Sequence, residues 1–93
     1  MNRLQLLENS LKNIEKYFLM NPEVFVLDSV IYQIKLLIQI TKEEIIVDQE
    51  IIKKLKLGWI YVRELDGFNE NDLIIDIKSA IEVEREIKSE NIK

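Results

Sequence analysis

Residues 55–66 read LKLGWIYVRELD, and at helical spacing they carry apolar side chains on two sides. One side is an ordinary core stripe that contains Ile51, Leu55, Gly58, Val62 and Leu65. The other side should be polar, yet it carries Leu57, Ile60 and Tyr61 beside Glu64. A helix that is apolar on two sides must be buried on both or must meet a partner. The segment therefore predicts a helix that either lies between other helices or contributes to a binding surface.

A strand is the alternative for part of this segment. Ile60-Tyr61-Val62 is a β-branched and aromatic run, and the alternation of Leu55 and Leu57 also suits a strand. A single strand would have no partner in this chain, because the remaining apolar patterns are helical. Helix is therefore the prediction.

The composition favours one small all-α domain. Ninety-three residues suffice for one modest core, and two Gly with one Pro suit long helices joined by short connections. The net charge of −4 argues against a protein that binds the phosphate backbone of nucleic acid. No apolar run resembles a signal peptide or a membrane span. We therefore expect a cytoplasmic protein with no nucleic-acid or membrane partner.

The chain also lacks the usual catalytic side chains. It has no His and no Cys, so the commonest nucleophile–base pairs and zinc sites cannot be assembled. The string from Asp66 to Asp72 superficially resembles a calcium loop, but its Gly is second rather than sixth and the bidentate Glu is missing. We expect no catalytic residue, no metal and no cofactor, and hence a protein that is not an enzyme.

Apolar spacing predicts a small four-helix bundle-like domain that covers residues 1–93 as one unit. The four helices are expected to begin near Leu4, Val24, Asp48 and Asn69. The second is apolar almost all round and is expected at the centre. After Glu84 the sequence is charged and thin in apolar residues, so the last eight residues or so are expected to fray.

Local signals predict where these helices start. Asn21-Pro22 is expected to cap and open the second helix, because Asn is a good N-cap and Pro suits the first helical position. Asp48 is expected to cap the third helix, and Asp66-Gly67 is expected to form the turn that closes it. Asn69 is expected to open the last helix, with Asp72 three residues on.

Acidic and aromatic side chains make up the candidate binding surface. Residues 64–76 contain five acids and no Lys or Arg, which would give a negative patch able to attract a basic cleft. A solvated loop with helix-start acids would give the same pattern. Large aromatics suit either packing or binding hot spots. The candidate partner-binding residues are Glu64, Asp66, Tyr61, Ile60, Leu57, Trp59 and Tyr32. The lysines at 53, 54 and 56 are interpreted as a solvated helix face.

The string Leu55-x-Leu57-Gly58-x-Ile60-x-Val62-x-Glu64-Leu65-Asp66 resembles the signature of small immunity proteins from bacterial type VI secretion systems. The prototype of that family neutralises an effector that hydrolyses NAD(P)+. The pattern more often has Phe where this chain has Leu65, and it does not specify Trp59, Tyr61 or the Asp66-Gly67-Phe68 turn. Upstream matches in register are Pro22, Val26, Leu27, Ser29 and Gln33. Downstream, with one residue inserted near Asp72, the matches are Asn69, Leu73, Lys78 and Ala80.

The resemblance implies an all-α protein of the producing cell's cytoplasm. Such a protein would bind the toxin domain of its cognate secreted effector and cover the active-site cleft. From the residues alone, the competing hypothesis is a helical homodimerisation or adaptor domain, in which the second apolar faces pair with another copy.

Overall fold

The computed structural model describes residues 2–65 and 67–91, and these residues form helices without any strand. The prediction of a small all-α domain is confirmed. The helices are α1 (Arg3–Met20), α2 (Val26–Thr41), α3 (Gln49–Lys54), α4 (Leu57–Glu64) and α5 (Asn71–Glu90). The predicted third helix is thus divided into the short helices α3 and α4.

The core lies between the three long helices, with α4 covering one side. Helix α1 packs on α2 and α5, and α4 packs on α5 and α2. Helix α2 is central, as its apolar sequence predicts, because it contributes the largest group of buried side chains. Fully buried residues that join these layers are Leu7, Ile14, Leu27, Ile34, Leu37, Leu57 and Ile77.

The break between α3 and α4 changes which side chains face the core. Leu55 is extended, with φ −80° and ψ 102°, so the two short helices do not share one helical phase. Gln33 of α2 stabilises the break: its side-chain amide donates to the Lys54 carbonyl at 2.9 Å and accepts from the Lys56 N–H at 3.0 Å. Both backbone groups would otherwise be left without a partner inside the structure. A buried side chain of another helix therefore fixes the kink.

The start of α2 differs from the prediction. Asn21 ends α1 instead of opening α2: its backbone N–H donates to the carbonyls of Tyr17 and Phe18, and its side chain donates to Tyr17. Pro22 lies in the following turn, and α2 begins only at Val26. Asn can cap either end of a helix, and here Asn21 donates hydrogen bonds to the free carbonyls at the end of α1.

The last helix also starts and ends differently. It begins at Asn71 rather than Asn69, and Glu70 precedes it without a side-chain cap. It continues to Glu90, and Ile87 is buried among the core residues. Arg3 donates to Glu86 at 2.9 Å and to Glu90 at 3.1 Å, and the bond to Glu90 raises the pKa of Arg3. The expected fraying is therefore wrong up to residue 90.

The prediction for Asp48 is confirmed, and the turn predicted at Asp66-Gly67 is confirmed at Gly67, since Asp66 lies outside the described residues. The Asp48 side chain accepts from the Ile51 N–H at 3.0 Å, as expected of the N-cap of α3. Gly67 has φ +86°, the left-handed conformation of a turn after α4. The same connection places Phe68 edge-on to Tyr17 of α1, with ring centroids 6.0 Å apart.

Candidate partner-binding groove

A groove of about 760 Å³ runs between α2 and the α3–α4 pair. Tyr32 of α2 and Trp59 of α4 both line it, and their exposed fractions are 55% and 54%. Ile31 and Ile60 are buried at the groove and supply its apolar floor. We call this feature the aromatic groove. It offers a partner two large exposed rings, whereas the isoleucines beneath them belong to the core.

The sequence places each ring at this surface through helical periodicity. On α2, Tyr32 is exposed while its neighbours Ile31 and Gln33 are buried. On α4, Trp59 is exposed between the partly buried Gly58 and the buried Ile60. Arg63, one helical turn later, lies over the Trp59 ring at 5.0 Å from its centroid. This cation–π contact restricts the indole before any partner arrives.

Charged side chains give the aromatic groove a positive balance. The lining cations are Lys35, Lys53, Lys54 and Lys56, and the lining anions are Asp28 and Glu64. Lys35 lies 3.7 Å from Glu15. In the part of the chain that the structure describes, Lys53, Lys54 and Lys56 make no ion pair.

The structure brings together four of the seven candidate residues named from the sequence. Tyr32, Trp59, Ile60 and Glu64 all line the aromatic groove, with Glu64 exposed. Tyr61 instead lies on the other side of α4, with the Lys78 ammonium 6.0 Å from its ring centroid. Asp66 lies outside the described residues.

Leu57 and Ile60 require a correction. They are 0% and 4% exposed, so neither presents a free apolar face to a partner. Conversely Val62, which the sequence placed on the core stripe, is 71% exposed. The error comes from treating residues 51–65 as one continuous helix. The break at Leu55 and Lys56 rotates α4, and Leu57 and Ile60 turn toward the core.

A second groove, of about 550 Å³, lies between α4 and α5. Tyr61, Val62, Ile75 and Ile81 line it, with Ile75 63% exposed. Lys78, Glu82 and Arg85 also line it. We call it the α4–α5 groove.

Sequence reasoning did not assign the lysines to the site. Read along one helix, Lys53, Lys54 and Lys56 form an ordinary solvated face. The break between the two helices brings them to the same groove as Trp59. No local pattern marks this arrangement, because it depends on the contact between the broken segment and Gln33.

The described residues contain no cluster of three or more Asp or Glu side chains suited to a metal ion. None of the described helices has the length and apolar content needed to cross a membrane. Comparison with known proteins found no matching family model, no matching curated protein and no matching solved structure.

Proposed function

We propose that this chain is an immunity-type inhibitor. It binds the toxin domain of a cognate secreted antibacterial effector and occludes the active site. The signature over residues 55–66 supports the class, since it resembles type VI secretion immunity proteins whose prototype neutralises an NAD(P)+-hydrolysing effector. An effector that uses a nucleotide substrate is the corresponding target.

The observation that carries the proposal is the exposure of Tyr32 and Trp59 in one groove. Tyr and Trp are the residues most enriched at binding hot spots, because a rigid ring buries much area at a small entropy cost. Two such rings on separate helices, with Arg63 ordering one of them, make a preformed anchor.

To occlude a cleft, the chain needs only sufficient size and a rigid surface. The molecule extends 38 × 26 × 18 Å, which is large relative to a small-molecule cleft. A standard interface of about 800 Å² per partner would cover roughly one-eighth of its 6266 Å² surface. Inhibition by covering a cleft needs no catalytic group.

Glu64 supplies the electrostatic part of the proposal. It is exposed at the aromatic groove, where a basic group in a phosphate-binding cleft can reach it. Desolvation of such a pair in the complex makes its loss costly, about 2–5 kcal/mol when one partner is left unpaired.

The test is co-expression with the toxin domain of the proposed cognate effector, to be sought among the genes beside this one. The chain should restore growth of cells that express the toxin, and the Tyr32→Ala, Trp59→Ala double variant should not. Phe25→Ala is the matched control, because Phe25 is 77% exposed but does not line the groove. Growth restored equally by the double variant and the control would overturn the groove assignment. A toxin that the wild-type chain neither binds nor neutralises would overturn the class.

A second candidate function, self-association, is favoured by the α4–α5 groove. Val62 and Ile75 are exposed there beside Tyr61, and apolar patches of this kind often pair with a copy of the same chain. Sedimentation of the wild-type chain and of Val62→Asp separates this from the first proposal. A concentration-dependent dimer that Val62→Asp dissociates would support it, and a monomer at all concentrations would contradict it.

A further inference from the structure

We propose that the segment of the partner that lies against Lys53, Lys54 and Lys56 in the aromatic groove is acidic. The identity of the partner as a toxin domain rests on the proposed function. The preference of the groove for an acidic segment does not, because it follows from the residues that line the groove. It differs from what the charge of the chain suggests, because the whole molecule has a net charge of −4. The aromatic groove nevertheless has four lysines against two carboxylates.

Lys35 pairs with Glu15 of α1, so the cations available to a partner are Lys53, Lys54 and Lys56. Gln33 holds the backbone at Lys54 and Lys56, which fixes both residues at the groove. Among the described residues no carboxylate pairs with Lys53, Lys54 or Lys56. Unpaired cations held beside one another repel, and an incoming carboxylate relieves that repulsion.

A purely structural explanation covers only part of the cluster. Lys53 and Lys54 lie in the last turn of α3, where a cation stabilises the negative end of the helix dipole. Lys56 lies beyond the end of α3, and Lys35 is on α2. The convergence of all four on one groove is therefore not explained by the α3 terminus.

The two carboxylates of the aromatic groove, Asp28 and Glu64, favour a peptide over a nucleic acid as the occupant. Glu64 is eight residues beyond Lys56, about 12 Å along α4 at the normal helical rise. Its negative charge is therefore far from the part of the groove that Lys53, Lys54 and Lys56 line, which we call the lysine end. Asp28 and Glu64 would, however, repel a continuous phosphate backbone that ran the length of the groove. A protein segment can place carboxylates at the lysine end and apolar groups against Tyr32 and Trp59.

The first experiment does not need the toxin, because Trp59 is the only Trp of the chain and lies in the groove. Its emission is followed while the full chain is titrated at low salt with a short peptide rich in Glu and Leu. The same peptide with Lys at every Glu position and a single-stranded oligothymidylate are the comparison probes. We expect a saturable change with the acidic peptide only.

The paired variant is Lys54→Glu with Lys56→Glu, which should weaken the response on the order of tenfold because two attractive contacts become repulsive. The control is Lys16→Glu with Lys42→Glu, exposed positions that do not line the described grooves and make the same change in net charge. The proposal is overturned if the acidic peptide gives no response, if the basic peptide binds equally, or if both double variants lose binding alike. Tighter binding of oligothymidylate would overturn it in favour of a phosphate-backbone ligand.

The second experiment repeats the two double variants against the toxin domain. Toxin binding that is weakened by the groove variant but kept by the control supports the acidic segment. Normal toxin binding by the groove variant overturns the acidic segment and leaves the immunity proposal intact. A toxin that does not bind the wild-type chain overturns the immunity proposal, and the peptide titration then decides the groove chemistry.

Discussion

The Glu84 carboxylate on α5 accepts the backbone N–H of Gly58, in the first turn of α4, at 3.0 Å. Glu84 is only 4% exposed, and its second oxygen lies 3.1 Å from the Lys88 ammonium. Helix α4 has no side-chain cap of its own at Lys56. A carboxylate from another helix thus supplies the anion that a helix N-terminus favours.

Glu84→Ala should therefore destabilise the fold by about 1–3 kcal/mol, because it leaves the partly buried Gly58 N–H without its acceptor. Glu84→Gln should cost less, since it keeps an acceptor of the same shape. Glu82→Ala is the control, because Glu82 is exposed on the same helix. Urea unfolding measures all three, and equal midpoints for Glu84→Ala and Glu82→Ala would contradict the capping role.

Gln33→Leu tests the break between α3 and α4. The variant removes both partners of the Lys54 carbonyl and the Lys56 N–H, so we expect a loss of about 2–4 kcal/mol. Gln39→Leu, at an exposed position of the same helix, should change stability by about 0.5 kcal/mol or less. Thermal melts compare the two. If Gln33→Leu lowers stability no more than Gln39→Leu does, the break between α3 and α4 does not depend on this amide.

Ile60 and Val62 provide a matched pair that tests the orientation of α4. Ile60 is 4% exposed and Val62 is 71% exposed, although the two residues are neighbours on one short helix. Ile60→Asp should unfold the chain, because an unpaired buried charge costs several kcal/mol. Val62→Asp should leave the helical circular dichroism unchanged. If Val62→Asp unfolds the chain and Ile60→Asp does not, the result would support the uninterrupted helix that the sequence predicts.

The two glycines should respond oppositely to Ala. A Cβ on Gly58 would lie 3.6 Å from the Ile81 Cγ2, an ordinary contact, so Gly58→Ala should be neutral or gain up to about 1 kcal/mol of helix propensity. Gly67 has φ +86°, so Gly67→Ala should lose about 1–2 kcal/mol. Urea midpoints that move in the same direction would contradict this assignment.

The long helices could be predicted because their apolar spacing is complete. In α1 the predicted stripe contains the buried Leu7 and Ile14, and in α2 seven of the sixteen residues are both apolar and buried. The break after Lys54 could not be predicted in the same way. Neither Gly nor Pro occurs at residues 55 and 56, and the amide that stabilises the break is 21 residues away from Lys54 along the chain.

The candidate site could be predicted only in part. Tyr32 and Trp59 could be named as candidate binding residues, but the sequence left both packing and exposure open for them, and the structure shows both exposed. Leu57 and Ile60 were misassigned because their side depends on the rotation of α4 after the break. The lysine cluster was dismissed for the same reason, since only the folded chain brings it to the groove.

The most direct test of the central claim is calorimetry of the chain against the toxin domain of its proposed cognate effector. Trp59→Ala should weaken binding by at least about 2 kcal/mol, the range of a hot-spot residue, with its melting temperature unchanged. Phe25→Ala, which removes a ring that is 77% exposed outside the groove, should bind like the wild type. Wild-type affinity for Trp59→Ala, or an equal loss for both variants, would contradict the assignment of the aromatic groove as the partner site.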